Sequence, residues 1–189
     1  MSTTISGTAL NVATITSPTL ITPIINGMGS SILTSGTAVA STSGTSIDFT
    51  GIPSWVKRIT VMFNGVSTSS SSDIIIRIGA TTVPETSGYL GAAVQVASSA
   101  GVVASNATDN GFCVAPAVSN TTIFHGSATI TLMTGSTWVS ASTLARSDAT
   151  SSIVGAGSKT ITGTLGVVRL TTVNGTDTFD AGSINILYE

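Results

Sequence analysis

SIDFTGIPSWVKRITVMFNGVSTSSSSDIIIRIG, residues 46–79, is the stretch whose reading decides the fold. Between Trp55 and Phe63 the residues Ile59, Val61 and Phe63 alternate with Arg58, Thr60 and Met62. That period of two gives a strand one apolar face. Asn64-Gly65 is a hairpin-turn signal, and Ser67 to Ser72 extends it as a polar, flexible tip. Ile74 to Ile78 then offers apolar side chains to both faces, which predicts a strand at the centre of a sheet or at a subunit contact. Arg77 interrupts it and requires a partner, Asp73 or an acid of a neighbouring subunit being the candidates.

Downstream the pattern repeats. Tyr89 to Val96, Phe112 to Val118, Thr121 to Met133, Thr137 to Leu144, Lys159 to Val173 and Ser183 to Tyr188 read as strands. Ser98 to Ala107 reads as a loosely pairing stretch, and Pro116 marks an edge or a bulge. Turns are expected at Pro84–Gly88, Asp109–Gly111, Asn174-Gly175 and Asp180–Gly182. No segment carries a capped 3.6-residue periodicity. The expected fold is all-β, an antiparallel β-sandwich or jelly roll over residues 46–189.

Upstream the material differs, since residues 1–45 contain no ionisable side chain. Residues 1–33 are rich in Thr and β-branched residues, which favours extended backbone. Pro18 and Pro23 interrupt any single strand. Val12, Ile15, Leu20, Ile21, Ile24 and Ile25 still need burial, worth about 1.5–3 kcal/mol each. An extended arm docked on another surface is therefore expected, the other reading being an early strand of the main domain. Residues 34–45, TSGTAVASTSGT, have linker composition.

Charged residues make up 7% of the 189, against about 25% in ordinary globular proteins. With 41% hydrophobic residues, disorder is excluded. A chain this poor in charge has little to keep a lone subunit soluble, so its surface is expected to be covered by copies of itself or by a larger assembly. A net charge of −2 with six scattered basic residues argues against nucleic acid. No apolar run approaches the roughly 20 residues of a membrane span, so no membrane insertion is expected. The opening MSTTISGTALNV lacks the features of a secretion signal, and synthesis in the cytoplasm is expected.

Candidate chemistry is sparse. His125 is the single histidine and no G-x-S-x-G elbow accompanies it. One His and one Cys cannot form a usual zinc set, and Cys113 reads as a small core residue. Asp177 and Asp180 could bind calcium, although turn chemistry explains them as well. No catalytic residue, metal or cofactor is expected.

Three stretches carry a resemblance: SPTLITPIING (17–27), the 46–79 segment, and RLTTVNGTDTFDAGSINILYE (169–189). They resemble virion fibre proteins of tailed bacteriophages, of the short tail-fibre or head-fibre type. The resemblance implies a non-enzymatic component of the virion, a homotrimer whose N-terminal arm is fixed to capsid or tail proteins. A C-terminal β-domain would point outward for host attachment, with a host-surface glycan as the candidate ligand. A capsid decoration or cement protein of the head is the alternative. Exposed loop candidates for surface contact are Ser69, Ser70, Asn106, Asp109, Arg146 and Asp148.

Overall fold

Apolar–polar alternation sorts the chain into two facing sheets. The computed structural model describes residues 33–98, 101–116 and 119–189, and among these every regular element is a strand. They are β1 (Thr34–Ser35), β2 (Val39–Ala40), β3 (Ser46–Thr50), β4 (Arg58–Thr68), β5 (Ile74–Gly79), β6 (Leu90–Ala97) and β7 (Gly101–Asn106). β8 (Phe112–Ala115), β9 (Phe124–Thr134), β10 (Thr137–Arg146), β11 (Ser151–Thr160), β12 (Val167–Thr172) and β13 (Phe179–Tyr188) complete the set. The wide sheet has nine strands, ordered β1-β13-β4-β9-β10-β11-β6-β7 with β2 also on β13, and the narrow sheet has four, ordered β3-β12-β5-β8. All pairings are antiparallel.

The fold is an all-β sandwich. From β3 onward the chain passes back and forth between the sheets. Without the β9–β10 hairpin, β13 and the short strands β1 and β2 that pair on it, eight strands remain, four to a sheet, in a jelly-roll winding. The hairpin lies between β4 and β11 and widens one sheet only.

The core sits between the inward positions of both sheets. Ile59, Val61 and Phe63 of β4, Ile130 of β9 and Ile153 of β11 are buried with Ile47, Phe49, Val168 and Leu170 of the narrow sheet. β5 is buried on both sides, as its sequence predicts: Ile74, Ile75, Ile76 and Ile78 are all fully buried. The loop before β8 covers its outer side. There Gly111 packs so closely that a Cβ would fall 2.8 Å from the Ile75 side chain. Arg77 Nε donates to the Asn110 carbonyl at 2.7 Å, so a main-chain oxygen supplies the partner that the sequence calls for.

β8 begins opposite Ile76, and Tyr89 supplies what Ile78 then lacks. The Ile78 N–H donates to Tyr89 Oη at 2.8 Å, and the phenol proton lies between the carbonyls of Glu85 (3.0 Å) and Ile78 (3.1 Å). The ring stands edge-on to Phe112, with centroids 5.0 Å apart. Lys159 Nζ sits 5.4 Å from the ring centre and pairs with Glu85 at 2.5 Å. Burial pushes the Tyr89 hydroxyl up to about 12, the Ile78 amide offsetting only part of that effect.

Several boundaries differ from expectation. β4 starts at Arg58 and runs on through Asn64-Gly65, which is a bulge and not a hairpin turn. β4 and β5 then lie in different sheets, so the polar segment between them is a crossover. Residues 34–40, of linker composition, run along β13 as β1 and β2. The Lys159–Val173 run divides at 161–166 into β11 and β12, again in different sheets. Asp180–Gly182 is not a turn: it lies inside β13, where Gly182 meets the Gly65 carbonyl too closely for any side chain.

Tyr89→Phe is expected to lower unfolding stability by about 1–3 kcal/mol in urea titrations, because the Ile78 amide loses its partner. A raised phenol pKa favours the neutral form in the folded state. The corresponding stability is complete below pH 10 and lost as pH rises toward about 12. Tyr89→Phe should make that alkaline decline shallower.

Candidate functional site

Strand alternation leaves an uncharged outer face on the part of the wide sheet built by β10, β11 and β6. Inward positions of β9, β10, β11 and β6 are buried, and the residues between them point outward. On β11 these are Ser152, Val154, Ala156 and Ser158. They stand opposite Ala145, Thr143, Ala141 and Val139 of β10, and opposite Val96, Val94, Ala92 and Leu90 of β6. Val96 in turn faces Val102 of β7. None of the outward positions from β9 to β6 is Asp, Glu, Lys or Arg. Leu90 (70%), Met133 (70%), Val102 (66%) and Val154 (50%) are the most exposed large side chains of this face. Ala92, Val94, Val154 and Ala156 line a shallow apolar hollow near its middle.

The charges lie elsewhere. Arg169 and Asp48 form a two-pronged pair across β12 and β3, with both contacts at 2.6 Å. Lys159 pairs with Glu85, Arg58 with Glu189, and Arg146 with Asp148. Hydrogen bonding from Arg146 is the main reason the Asp148 carboxyl is held below its ordinary range.

The loop candidates separate into groups. Ser69 and Ser70 are exposed after β4, at the end of the sandwich where β10 reaches Arg146. Arg146 closes β10 and is committed to Asp148, which also accepts the Ile123 amide at 3.1 Å. It is therefore an ion-paired strand end and not a free loop cation. Asp109 lies at the opposite end, where its carbonyl accepts the Tyr89 amide. Asn106 closes β7, paired with Ala93, and is a strand residue rather than a loop tip. Val12, Ile15, Leu20, Ile21, Ile24 and Ile25 lie outside the described residues.

The 69–73 tip is laced to the 174–178 loop. The Ser69 amide donates to the Thr178 carbonyl, and the Thr178 amide to Ser69 Oγ. The Ser72 amide donates to Asp177 Oδ2 at 2.9 Å, while Asn174 Nδ2 donates to Asp177 Oδ1 at 2.7 Å. Asp177 thus does turn chemistry, and Asp180 of β13 accepts from Ser67 Oγ of β4. His125 accepts the Gly65 amide at Nδ1 (3.2 Å), with Nε2 facing Ser147 Oγ at the same distance. It braces the β4 bulge against the loop after β10. Cys113 is buried, and burial pushes its thiol up to about 12.

Among the described residues, no three His, Cys, Asp or Glu gather as a metal set, and no helix is long and apolar enough to cross a membrane. A second concavity of about 210 Å³ lies at the end where the described chain enters, lined by Ser54, Lys57, Ser136, Trp138 and Thr164. Sequence reading missed both this hollow and the sheet face. The available signal for the face was the absence of charge at alternate positions through 127–158. Comparison with family models, with curated proteins and with solved structures gives no match.

Asp177→Ala should cost about 1–3 kcal/mol by stranding the Ser72 amide, and should open the 69–73 segment to proteolysis. Because both carboxylate oxygens of Asp177 are already engaged, calcium or a chelator is expected to leave Tm unchanged. A calcium-dependent rise in Tm would restore the ion-binding reading.

Proposed function

We propose that this protein is a non-enzymatic structural component of a tailed-bacteriophage virion. Residues 1–33 fix it to the capsid or tail, and the β-sandwich is displayed outward as a homotrimer for host-surface attachment. The observation that carries this reading is the uncharged outer face of β10, β11 and β6, where Ala, Val and Leu stand among Ser and Thr. A sheet surface without ionic groups suits a subunit that works inside an assembly.

The polarity of the sandwich supports it as well. The described chain enters beside Tyr188, where Thr34 pairs with that residue at the end of the sheet holding Ile59. Ser69, Ser70 and Asp148 lie at the other end. Several copies on one particle would bind a glycan-bearing surface by avidity, with weak contacts at each tip.

Localisation tests this directly. Gold-labelled antibody against the chain should decorate intact particles, at the tail for an adhesin or over the head for a decoration protein. Absence from purified particles would overturn the proposal. Chains lacking residues 1–33 are expected to fold, by circular dichroism, and to fail to join particles. If they still join, the anchor lies elsewhere.

A further inference from the structure

We propose that the outer face of β10, β11 and β6, with Val102 at its margin, is the surface on which a second copy of this chain docks. This rests on the reading of the protein as a self-assembling virion component and says where on the sandwich the assembly is made.

Four observations select the face and its occupant. The first is extent. At about 4.8 Å between strands and about 3.4 Å per residue, β10, β11 and β6 with the start of β7 alongside, over some eight residues, span on the order of 500 Å². That lies in the upper half of the range for the largest patch on ordinary monomers, and it supplies more than half of the roughly 800 Å² per partner of a stable interface.

The second is charge. The face offers no ionic group, so a partner that brought charge to it would leave that charge unpaired and desolvated. A copy of this same chain, with 7% charged residues, has a surface that meets the requirement. The outer side of the narrow sheet does not meet it, since Asp48, Arg169 and Arg77 lie there.

The third is shape. The hollow at Ala92, Val94, Val154 and Ala156 lies on the same sheet as the protruding Leu90 and Val102, which are 70% and 66% exposed. One face therefore carries knob and hole at different positions, so the knob of one copy can seat in the hole of the next, the head-to-tail contact by which three copies close a ring. The fourth is chemistry: the outward positions of β10, β11 and β6 carry no aromatic ring, and the hollow among them is lined by Ala and Val, so a sugar has no ring to stack on there.

The test uses the full chain. Val154→Lys places a charge in the middle of the face at an outward position, so the subunit should keep its fold by circular dichroism. Sedimentation velocity should show the assembled species lost, with at least a tenfold weaker association than Val83→Lys, a control at an exposed loop residue. A second pair guards against misfolding. Cys113 is buried, so a cysteine introduced by Val154→Cys or Val83→Cys is the thiol that a maleimide reaches.

At assembling concentration the thiol of Val154→Cys should react at least tenfold more slowly than that of Val83→Cys, and the difference should vanish on dilution. Equal labelling at all concentrations, or a folded Val154→Lys chain that still assembles, would overturn the docking face while leaving assembly intact. Protection that persists in a single subunit would assign the face to another segment of the same chain. A wild-type chain that never associates would defeat the assembly reading itself.

Discussion

Burial of β5 on both sides is the condition the rest of the sandwich depends on. Ile74, Ile76 and Ile78 fill the space between the sheets, while Ile75 is sealed from outside by the loop carrying Asn110 and Gly111. Each fully buried isoleucine contributes about 1.5–3 kcal/mol, against a net stability of about 5–15 kcal/mol for a whole domain. The seal is finished with polar contacts, because backbone groups at a strand end need partners as much as side chains need burial. Tyr89 provides them for Ile78, and the Asn110 carbonyl provides one for Arg77. Its neighbours β12 and β8 take their register from β5, and through β12 so does β3.

A second constraint follows from how few charges the chain has. Four ion pairs consume Arg58, Arg146, Lys159 and Arg169. They sit at strand ends or on the narrow sheet's outer side, and the Lys159–Glu85 pair backs the Tyr89 ring. None of the remaining charged residues stands on the outer face of β10, β11 and β6. A soluble sheet exposed on one side ordinarily places Lys, Glu or Arg at such positions, which also blunts unwanted pairing. Here Ala, Val, Ser and Thr occupy them. That choice keeps the strands well formed and leaves their outer surface to be covered by something else, which is the physical link from this fold to assembly.

Much of this was legible in the residues. The all-β class followed from period-two alternation, and the central, doubly buried position of β5 from its run of isoleucines. Where reading failed, glycine was usually the reason. Residues 151–158 of β11 escape the pattern because Gly155 and Gly157 look like loop residues, yet they are small to make room: a Cβ on Gly157 would meet the Leu90 carbonyl at 2.5 Å and the Phe112 ring at 3.0 Å. Gly65 and Gly182 were read as turns, but they face each other across a bulge between β4 and β13. Turn chemistry and bulge chemistry use the same residues, and only the partner strand distinguishes them.

The site was harder to read than the fold. The tip at Ser69 and Ser70 was legible as exposed, but its lacing to Asp177 and Thr178 depends on contacts more than a hundred residues apart in sequence. Arg146 reads as a loop residue because the strand pattern stops at Leu144; β10 runs two residues further, and Arg146 pairs with Asp148 just beyond its end. The uncharged sheet face shows only when β10, β11 and β6 are set side by side in register.

Sedimentation equilibrium of the intact chain at neutral pH, over a wide range of dilution, tests the central claim most directly. A species of about 56 kDa, three times 18.8 kDa, that persists into the micromolar range is predicted. A single 18.8 kDa subunit at every concentration, with its wide sheet face open to water, would contradict it.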